Sequence, residues 1–286
     1  MQPGTIALVL IASVAHAVWN TVSKYKRGDT VLFVWAYTCA SAVLCVPIGA
    51  AVATSEAQPL NWQLAVGAVV SAALHLAYSL TLQAGYDRAE LGVVYPVARG
   101  TGPVLSMLVA ILILGERPSG LAMLGALTVV AGVVVVTGNP FRSRHHRPMR
   151  GLLWGGVTGA AIAAYTLWDS YSVTALHLAP VTYYAGTLLV QSLILTPSAL
   201  RRRARLPATA RVDAAPVLTI AVLSPLAYIL VLTAIQTAPV ALVAPLRESS
   251  IVIGSLLAWR LFQEDQLARR ISGAAVVLAG IAAISL

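Results

Sequence analysis

Charged residues are scarce in this chain. Lysine, arginine, aspartate and glutamate together make up 10% of its 286 residues, whereas hydrophobic residues make up 58%. A soluble domain typically carries about 25% charged residues, and the mean hydropathy of +0.82 also lies far on the apolar side. The composition therefore excludes a soluble globular protein, and the length is enough for roughly ten membrane spans of ~20 residues.

Cysteines are few, and catalytic motifs are absent. The two cysteines, Cys39 and Cys45, lie six residues apart in one apolar run, which implies neither a disulfide framework nor a metal site. The sequence contains no HExxH or GxSxG motif, no pair of intramembrane aspartates and no nucleotide-binding motif. We therefore predict that the chain is not an enzyme, needs no cofactor and is not driven by ATP.

Apolar stretches separated by turn residues divide the chain into ten predicted spans. Only an α-helix satisfies its own backbone in lipid over segments this long, and the alternating pattern of a β-barrel is absent. Glycine and alanine are abundant in the spans, which permits close helix packing. The spans cover about residues 4–23, 31–53, 63–85, 91–114, 119–138, 151–172, 179–199, 214–237, 240–262 and 268–286.

Basic residues are concentrated on one side of these spans. Sixteen of the nineteen lysines and arginines fall in loops after odd-numbered spans, and only Arg117 follows an even-numbered span. The positive-inside rule then places the odd loops in the cytoplasm and both termini outside. The clusters RSRHHR (142–147) and RRRAR (201–205) are expected to contact anionic lipid heads and no nucleic acid, because they stand between apolar runs.

The second half of the chain repeats the first. Residues 97–133 align with residues 245–281 at a constant offset of 148, which pairs Arg99 with Arg247. Each half has five predicted spans, an odd number, so the second half inserts upside down. Inverted repeats place a shared site near the bilayer midplane, where the halves meet. The predicted division is a first repeat at 1–140, a basic cytoplasmic linker at 141–150 and a second repeat at 151–286.

Five segments carry a resemblance to a known family. They are HAVWNTVSKYKRGD (16–29), YPVARGTGP (95–103), GERPSGLAMLGALTVVAG (115–132), APLRESSIV (244–252) and QEDQLARRISGAAVVLAG (263–280). Together they resemble the EamA family of the drug/metabolite transporter superfamily, over essentially the whole chain. The resemblance implies a ten-helix permease of the cell's inner (plasma) membrane, with a central cavity lined mainly by helices 1, 3, 4, 6, 8 and 9. Such carriers move small metabolites, amino acids or drugs, often by export.

Two arginines and a glutamate lie inside predicted spans. Arg99 is about eight residues into span 4 and Arg247 about seven into span 9, so both lie near mid-span. A charged side chain there costs roughly 2.5–3.5 kcal/mol on insertion scales, which indicates a function. We predict that the arginines hold a carboxylate or other anionic group, and that Glu248 holds an ammonium group or a coupling proton. Structural ion pairing with neighbouring helices is the alternative. Adjacent helical residues point about 100° apart, so Arg247 and Glu248 are not expected to pair with each other.

Other polar and aromatic residues are candidates for the same site. His16 and Asn20 are one turn apart beside Trp19 on span 1, and Trp168 and Asp169 occupy the corresponding part of span 6. His75 lies mid-span, where an imidazole can relay protons or bond to a neighbouring helix. The tryptophans fit interfacial anchors as well as cavity walls. The predicted substrate-binding residues are Arg99, Arg247, Glu248, His16, Asn20, Trp19, His75, Tyr78, Tyr95, Trp168, Asp169 and Tyr228.

These patterns predict an all-α membrane protein with ten transmembrane helices, arranged as two inverted five-helix repeats around a central cavity. The predicted function is a secondary transporter that moves a small metabolite by alternating access, such as an amino acid or another carboxylate-bearing solute. Proton-coupled export is one form of this activity. The alternatives are a passive channel or a structural membrane protein, and less favourably a membrane-embedded enzyme. The chain is expected to work in the lipid bilayer as a monomer or homodimer.

Overall fold

The computed structural model describes residues 1–23, 25–55, 58, 60–89, 91–137, 148–262 and 267–286. These residues form helices joined by short connections, and no strand occurs among them. A short 3₁₀ turn, Arg203–Arg205, precedes α8. The α-helices are α1 Pro3–Ser23, α2 Thr30–Ser55, α3 Trp62–Arg88, α4 Leu91–Leu112, α5 Gly120–Thr137, α6 Pro148–Thr174, α7 Pro180–Leu200, α8 Leu206–Ile235, α9 Val240–Arg247, α10 Ser249–Phe262 and α11 Leu267–Ser285.

The helices follow the predicted spans with two differences. The predicted ninth span, 240–262, is two helices, α9 and α10, which meet at Glu248. The eighth helix begins at Leu206 and not near 214, because a proline in its first turn suits a helix start. Lys24, most of the predicted linker (141–147) and the acidic pair Glu264 and Asp265 lie outside the described residues.

The outer surface of the helix bundle is apolar. Val43, Leu80, Leu112 and Leu278 expose 73%, 70%, 78% and 65% of their surfaces. Five of the described helical segments are long and apolar enough to cross a membrane, and two shorter apolar helices accompany them. Large apolar side chains exposed in this number are typical of a surface that contacts lipid.

The loops lie at two opposite ends of the bundle. At one end the Met1 ammonium group donates a hydrogen bond of 3.1 Å to the carbonyl of Ile284, so the first and last helices meet there. We call this the terminal end. At the other end Asp29, between α1 and α2, accepts a hydrogen bond of 2.9 Å from Arg202, between α7 and α8. We call this the basic end.

The two halves of the chain are inverted relative to each other. The first helix of half one, α1, starts at the terminal end. The first helix of half two, α6, starts at the basic end, where the Arg88 guanidinium lies 5.1 Å from the ring centre of Trp154. Helix contacts exchange under this relation: α5 packs on α11, α2 packs on α7, and the α1–α8 contact has its counterpart in α3–α6. The fold is therefore a pair of inverted five-span repeats.

Two aspartates hold the α1–α2 connection against the second half. The Asp213 carboxylate accepts backbone N–H bonds from Arg27 at 2.8 Å and Gly28 at 2.9 Å. Burial would raise the pKa of Asp29, but hydrogen bonds from Arg202 and from the backbone of α2 more than offset this, so its pKa lies below its usual value. The contact between Asp29 and Arg202 therefore persists at neutral pH.

Glycines bring α5 and α11 into backbone contact. A Cβ atom added at Gly125 would lie 2.7 Å from the carbonyl oxygen of Gly280, and one at Gly132 would lie 2.9 Å from that of Gly273. Real Cβ atoms do not approach neighbours this closely, so only glycine fits these positions. This small-residue contact joins the two halves, as is common in membrane bundles.

We expect Gly132→Leu to lower the unfolding temperature of the purified protein in detergent. A larger side chain forces the two helices apart, and overpacking typically costs 1–3 kcal/mol. Gly156→Leu is the matched control, because Gly156 on α6 has open space around its Cα atom. Equal unfolding temperatures for the two variants would show that the contact between α5 and α11 does not hold the halves together.

Candidate functional site

A cavity of about 370 Å³ lies between the two halves. Its walls come from α1, α2, α3, α4, α6, α7, α8 and α9, so both halves contribute. Six of these eight helices are the ones that the resemblance implied as the cavity lining. The structure adds α2, with Tyr37 and Ser41, and α7, with Tyr184 and Gln191.

The cavity is closed toward the terminal end. There the Thr5 and Thr237 hydroxyls lie 3.0 Å apart, which joins α1 to the α8–α9 connection. The Glu116 carboxylate accepts hydrogen bonds from the backbone N–H groups of Val240 at 2.8 Å and Ala241 at 2.9 Å. These are the first N–H groups of α9, which lack partners within the helix. The α4–α5 loop is thereby tied to the start of α9.

Toward the basic end the cavity reaches the ends of several helices. Asn20, near the end of α1, and Thr30, the first residue of α2, line it, as does Leu195 on α7. Thr30 is exposed at the bundle surface. The lining residues of this cavity, called the chamber below, therefore extend to the basic end.

The break between α9 and α10 lies beside the cavity. Pro245 cannot donate a backbone hydrogen bond. The Glu248 N–H donates to the Pro245 carbonyl three residues back, whereas in a regular α-helix it would donate to the carbonyl four residues back. The carbonyl of Arg247 accepts a hydrogen bond from the Ser13 hydroxyl of α1 at 3.2 Å, and Ser249 donates to Ser13 at 3.1 Å. Hydroxyl groups of this kind satisfy backbone groups that a broken membrane helix leaves free.

Three ionised side chains meet at this break. The Arg99 Nη1 atom lies 3.4 Å from Glu248 Oε2, and the Arg247 Nη2 atom lies 3.8 Å from Glu248 Oε1. The expectation that Arg247 and Glu248 would not pair was wrong, because the helix ends between them and the regular 100° rotation is lost. Glu248 is 1% exposed and shared by two guanidinium groups. The cluster therefore carries a net positive charge.

Both arginines face the cavity with part of their surface in contact with aromatic rings. Arg247 Nη2 donates to the Tyr165 hydroxyl at 3.1 Å, and its guanidinium carbon lies 5.8 Å from the centre of that ring. The Arg99 guanidinium carbon lies 5.5 Å from the centre of the Tyr95 ring. Arg99 and Arg247 line the chamber, whereas Glu248 is not among its lining residues. A solute in the chamber would thus meet guanidinium groups and not the carboxylate.

Aromatic side chains form most of the remaining wall. Tyr37, Tyr78, Tyr165, Tyr184 and Tyr228 all line the chamber. Such rings provide an apolar face with a polar edge, which suits a solute with a flat or apolar body.

Two wall residues carry polar atoms without protein partners. The Nε2 atom of His16 and the Nε1 atom of Trp19 are buried, and no hydrogen-bond partner for either occurs in the part of the chain that the structure describes. The two rings pack edge to face with centres 4.8 Å apart. A buried polar group without a partner is costly, so these atoms are candidates to bond a solute.

A fully buried carboxylate, Asp169, stands behind the aromatic wall. It accepts a hydrogen bond of 2.6 Å from the Tyr183 hydroxyl, and a further one from the Tyr228 hydroxyl. The His75 Nε2 atom lies 3.0 Å from Asp169 Oδ2. His75 lines the chamber and is 16% exposed, whereas Asp169 has no exposed surface. Nothing in the sequence indicated these partners of Asp169.

The predicted site residues divide into two groups. Eight line the chamber, namely His16, Trp19, Asn20, His75, Tyr78, Arg99, Tyr228 and Arg247. Tyr95, Trp168, Asp169 and Glu248 are not among its lining residues. Trp168 donates a hydrogen bond of 3.1 Å to the Gly67 carbonyl on α3, which joins two helices. Substrate contact by any of the twelve stays a prediction.

Sequence reasoning missed several wall residues. Tyr165 could have been found, because it occupies the repeat position opposite His16. Tyr37, Tyr184 and Gln191 gave no signal, since an aromatic or amide residue in an apolar span has many structural uses.

Comparison with known proteins identifies the fold and the family. A model described as the EamA-like transporter family matches the chain twice, over residues 4–138 and 149–286. A solved structure described as "Crystal structure of protein" is 16% identical, with a TM-score of 0.76, and the match covers 100% of this chain and 98% of that one. A similarity at 16% identity shows the fold alone. No curated protein matches the chain.

Proposed function

Because the chain belongs to the EamA-like transporter family, we propose that it is a secondary transporter that carries a small organic anion with an apolar or aromatic body. The family indicates a multi-pass membrane transporter of the drug/metabolite type. The proposed substrate is a carboxylate held in the chamber between the two repeats, and the proposed cycle is alternating access.

One observation carries the substrate class: two buried guanidinium groups face the chamber and share a single buried carboxylate. Arg99 and Arg247 are 9% and 7% exposed, and Glu248 is 1% exposed. The cluster has one positive charge in excess in an environment of low dielectric constant. Charge-assisted hydrogen bonds from arginine to a carboxylate are strong and directional. An anionic solute would neutralise this excess.

The remaining wall favours an anion over an amine. No aspartate or glutamate occurs among the described residues that line the chamber. A bound ammonium group would therefore lack a direct counter-ion and would approach two guanidinium groups. The volume of about 370 Å³ lies near the lower limit of ligand sites, which span roughly 300–1,000 Å³. A solute of one ring with a short acidic side chain fits these limits.

The closed terminal end supports a carrier over a passive channel. A channel needs a continuous path, whereas the residues that line this chamber reach the basic end, and contacts of Thr5, Glu116 and α9 tie the helices together at the terminal end. A broken helix at the midplane and inverted repeats are features of alternating-access carriers. We extend the proposal to the inner membrane, with the basic end in the cytoplasm, as the loop charges suggest.

Three probes with the same phenyl body test the proposal: 3-phenylpropanoate, phenylalanine and 2-phenylethylamine. We expect the purified protein in proteoliposomes to bind and transport the carboxylate best and the zwitterion less well. The amine is expected neither to bind nor to compete. Binding or transport of the amine that equals or exceeds that of the carboxylate would contradict an anion site. Flux that grows linearly with concentration, without saturation, would contradict a carrier and favour a channel.

A further inference from the structure

We propose that Asp169 and His75 form a proton-binding site, and that one proton is taken up there when the chamber binds an anion. This inference rests on the proposed function, since it assigns the coupling ion of the same chamber. The site lies on α6 and α3, apart from the arginine cluster of α4 and α9.

The geometry of the pair suits a proton that enters from the chamber. Asp169 is fully buried and is held by Tyr183 and Tyr228, so its carboxylate is fixed in place. His75 bonds to it at 3.0 Å and keeps 16% of its side chain exposed. A neutral imidazole that donates from Nε2 to Asp169 has a basic Nδ1 atom. A proton that binds there produces an imidazolium paired with the carboxylate.

The charges around the chamber give a reason for coupling. With both chamber histidines neutral, Arg99 and Arg247 contribute two positive charges, and Glu248 and Asp169 contribute two negative charges. The positive charge in excess at the arginine cluster is then balanced overall by the Asp169 carboxylate on α6. An anion that binds at the arginines takes over that balance and leaves Asp169 as one uncompensated negative charge in a medium of low dielectric constant. Uncompensated buried charge is costly. Uptake of one proton at His75 restores neutrality, so the anion and the proton favour each other's binding.

The other groups that face the pair do not provide a competing site near neutral pH. All of these groups are phenols except for one guanidinium. Phenols and guanidinium groups keep their charge near neutral pH, whereas an imidazole changes charge there. They are Tyr78 on α3, Tyr165 on α6, Tyr183 and Tyr184 on α7, Tyr228 on α8 and Arg247 on α9.

Tyr165 connects the proton site to the anion site. Its ring stacks on the His75 imidazole with centres 4.2 Å apart and an angle of 24° between the planes. Its hydroxyl accepts the hydrogen bond from Arg247 at 3.1 Å. When an anion draws Arg247 toward itself, this bond weakens and the positive charge beside His75 is partly neutralised. A proton on His75 is then better tolerated.

Proton uptake can be measured directly by calorimetry. Binding of 3-phenylpropanoate to the purified protein at pH 7 is followed in buffers of different ionisation enthalpy, and the dependence of the observed enthalpy on the buffer gives the number of protons. We expect uptake of one proton by the unmodified protein. The affinity for 3-phenylpropanoate should then fall about tenfold for each unit by which the pH rises, wherever binding requires uptake of a proton at His75. His75→Gln and Asp169→Asn should each reduce the number to zero.

The control is His16→Gln, which changes the other chamber histidine. His16 has no carboxylate partner among the described residues, so this variant should keep one proton per anion even if its affinity changes. If Asp169→Asn does not fold, His75→Gln decides the matter, because its side chain is partly exposed. Anion binding without proton uptake, or uptake that survives in His75→Gln, would overturn this inference alone. Failure of 3-phenylpropanoate, benzoate and phenylalanine to bind would overturn the proposed function as well.

Discussion

Arg247→Gln is expected to weaken binding of 3-phenylpropanoate about 10- to 150-fold while the protein still folds and inserts. A hydrogen bond to a charged group contributes about 1.5–3 kcal/mol, and each 1.4 kcal/mol is a factor of ten in affinity. Glutamine keeps a donor for the Tyr165 hydroxyl but removes the charge. The measurement is an equilibrium titration of the purified variant, with size-exclusion chromatography and unfolding temperature as checks of folding.

Arg88→Gln is the matched control for the loss of an arginine. Arg88 ends α3, is exposed, and lies over Trp154 at the basic end, outside the chamber. Its loss should leave affinity unchanged. Arg99→Gln should weaken binding and also reduce stability, because Arg99 is the nearer partner of the buried Glu248 at 3.4 Å. Unchanged affinity in both Arg99→Gln and Arg247→Gln would remove the arginines from the substrate site and favour a purely structural ion cluster.

The fold was largely predictable because the apolar runs and the internal repeat that determine it can be read directly from the sequence. Apolar runs of about 20 residues have one solution in lipid, and the repeat that pairs Arg99 with Arg247 fixed the relation of the halves. The break at Glu248 was not predictable to the residue. Pro245 marked a weak point, but Ser13, which donates to the Arg247 carbonyl, and Ser249, which donates to Ser13, lie on two different helices.

The site was predictable in its charges and not in its partners. Arg99 and Arg247 stood out because a guanidinium in an apolar run has to be compensated. The pairing of Asp169 with His75 was hidden, since 94 residues separate them and neither side chain has a local motif. The contribution of α2 and α7 depends on how the halves pack, which the repeat alone does not determine.

Glu116→Ala is expected to open the terminal end. Glu116 holds the first two N–H groups of α9 at 2.8 and 2.9 Å, and α9 leads directly to Arg247 and the helix break. In the proposed alternating-access cycle, these bonds separate when the solute leaves on that side. Loss of about 1.5–3 kcal/mol of charge-assisted bonding would shift the closed-to-open equilibrium about 10- to 150-fold.

A cysteine at position 5 would report that shift. Thr5 is buried at the terminal end against Thr237 and does not line the chamber. In a background in which Cys39 and Cys45 are replaced by alanine, Thr5→Cys should react with a polar maleimide at least tenfold faster when Glu116→Ala is also present.

Arg117→Ala serves as the control for Glu116→Ala, because this exposed neighbour shares the loop and has no described contact with α9. It should leave the labelling rate unchanged. If the rate is equally unaffected by Glu116→Ala in a protein of normal unfolding temperature, the closure of the terminal end depends on packing of the helices and not on this carboxylate. An increase in the labelling rate that occurs only with Glu116→Ala would show that the Glu116 carboxylate keeps the terminal end closed. It would do so by holding the start of α9, the helix that ends at Arg247 and the charge cluster.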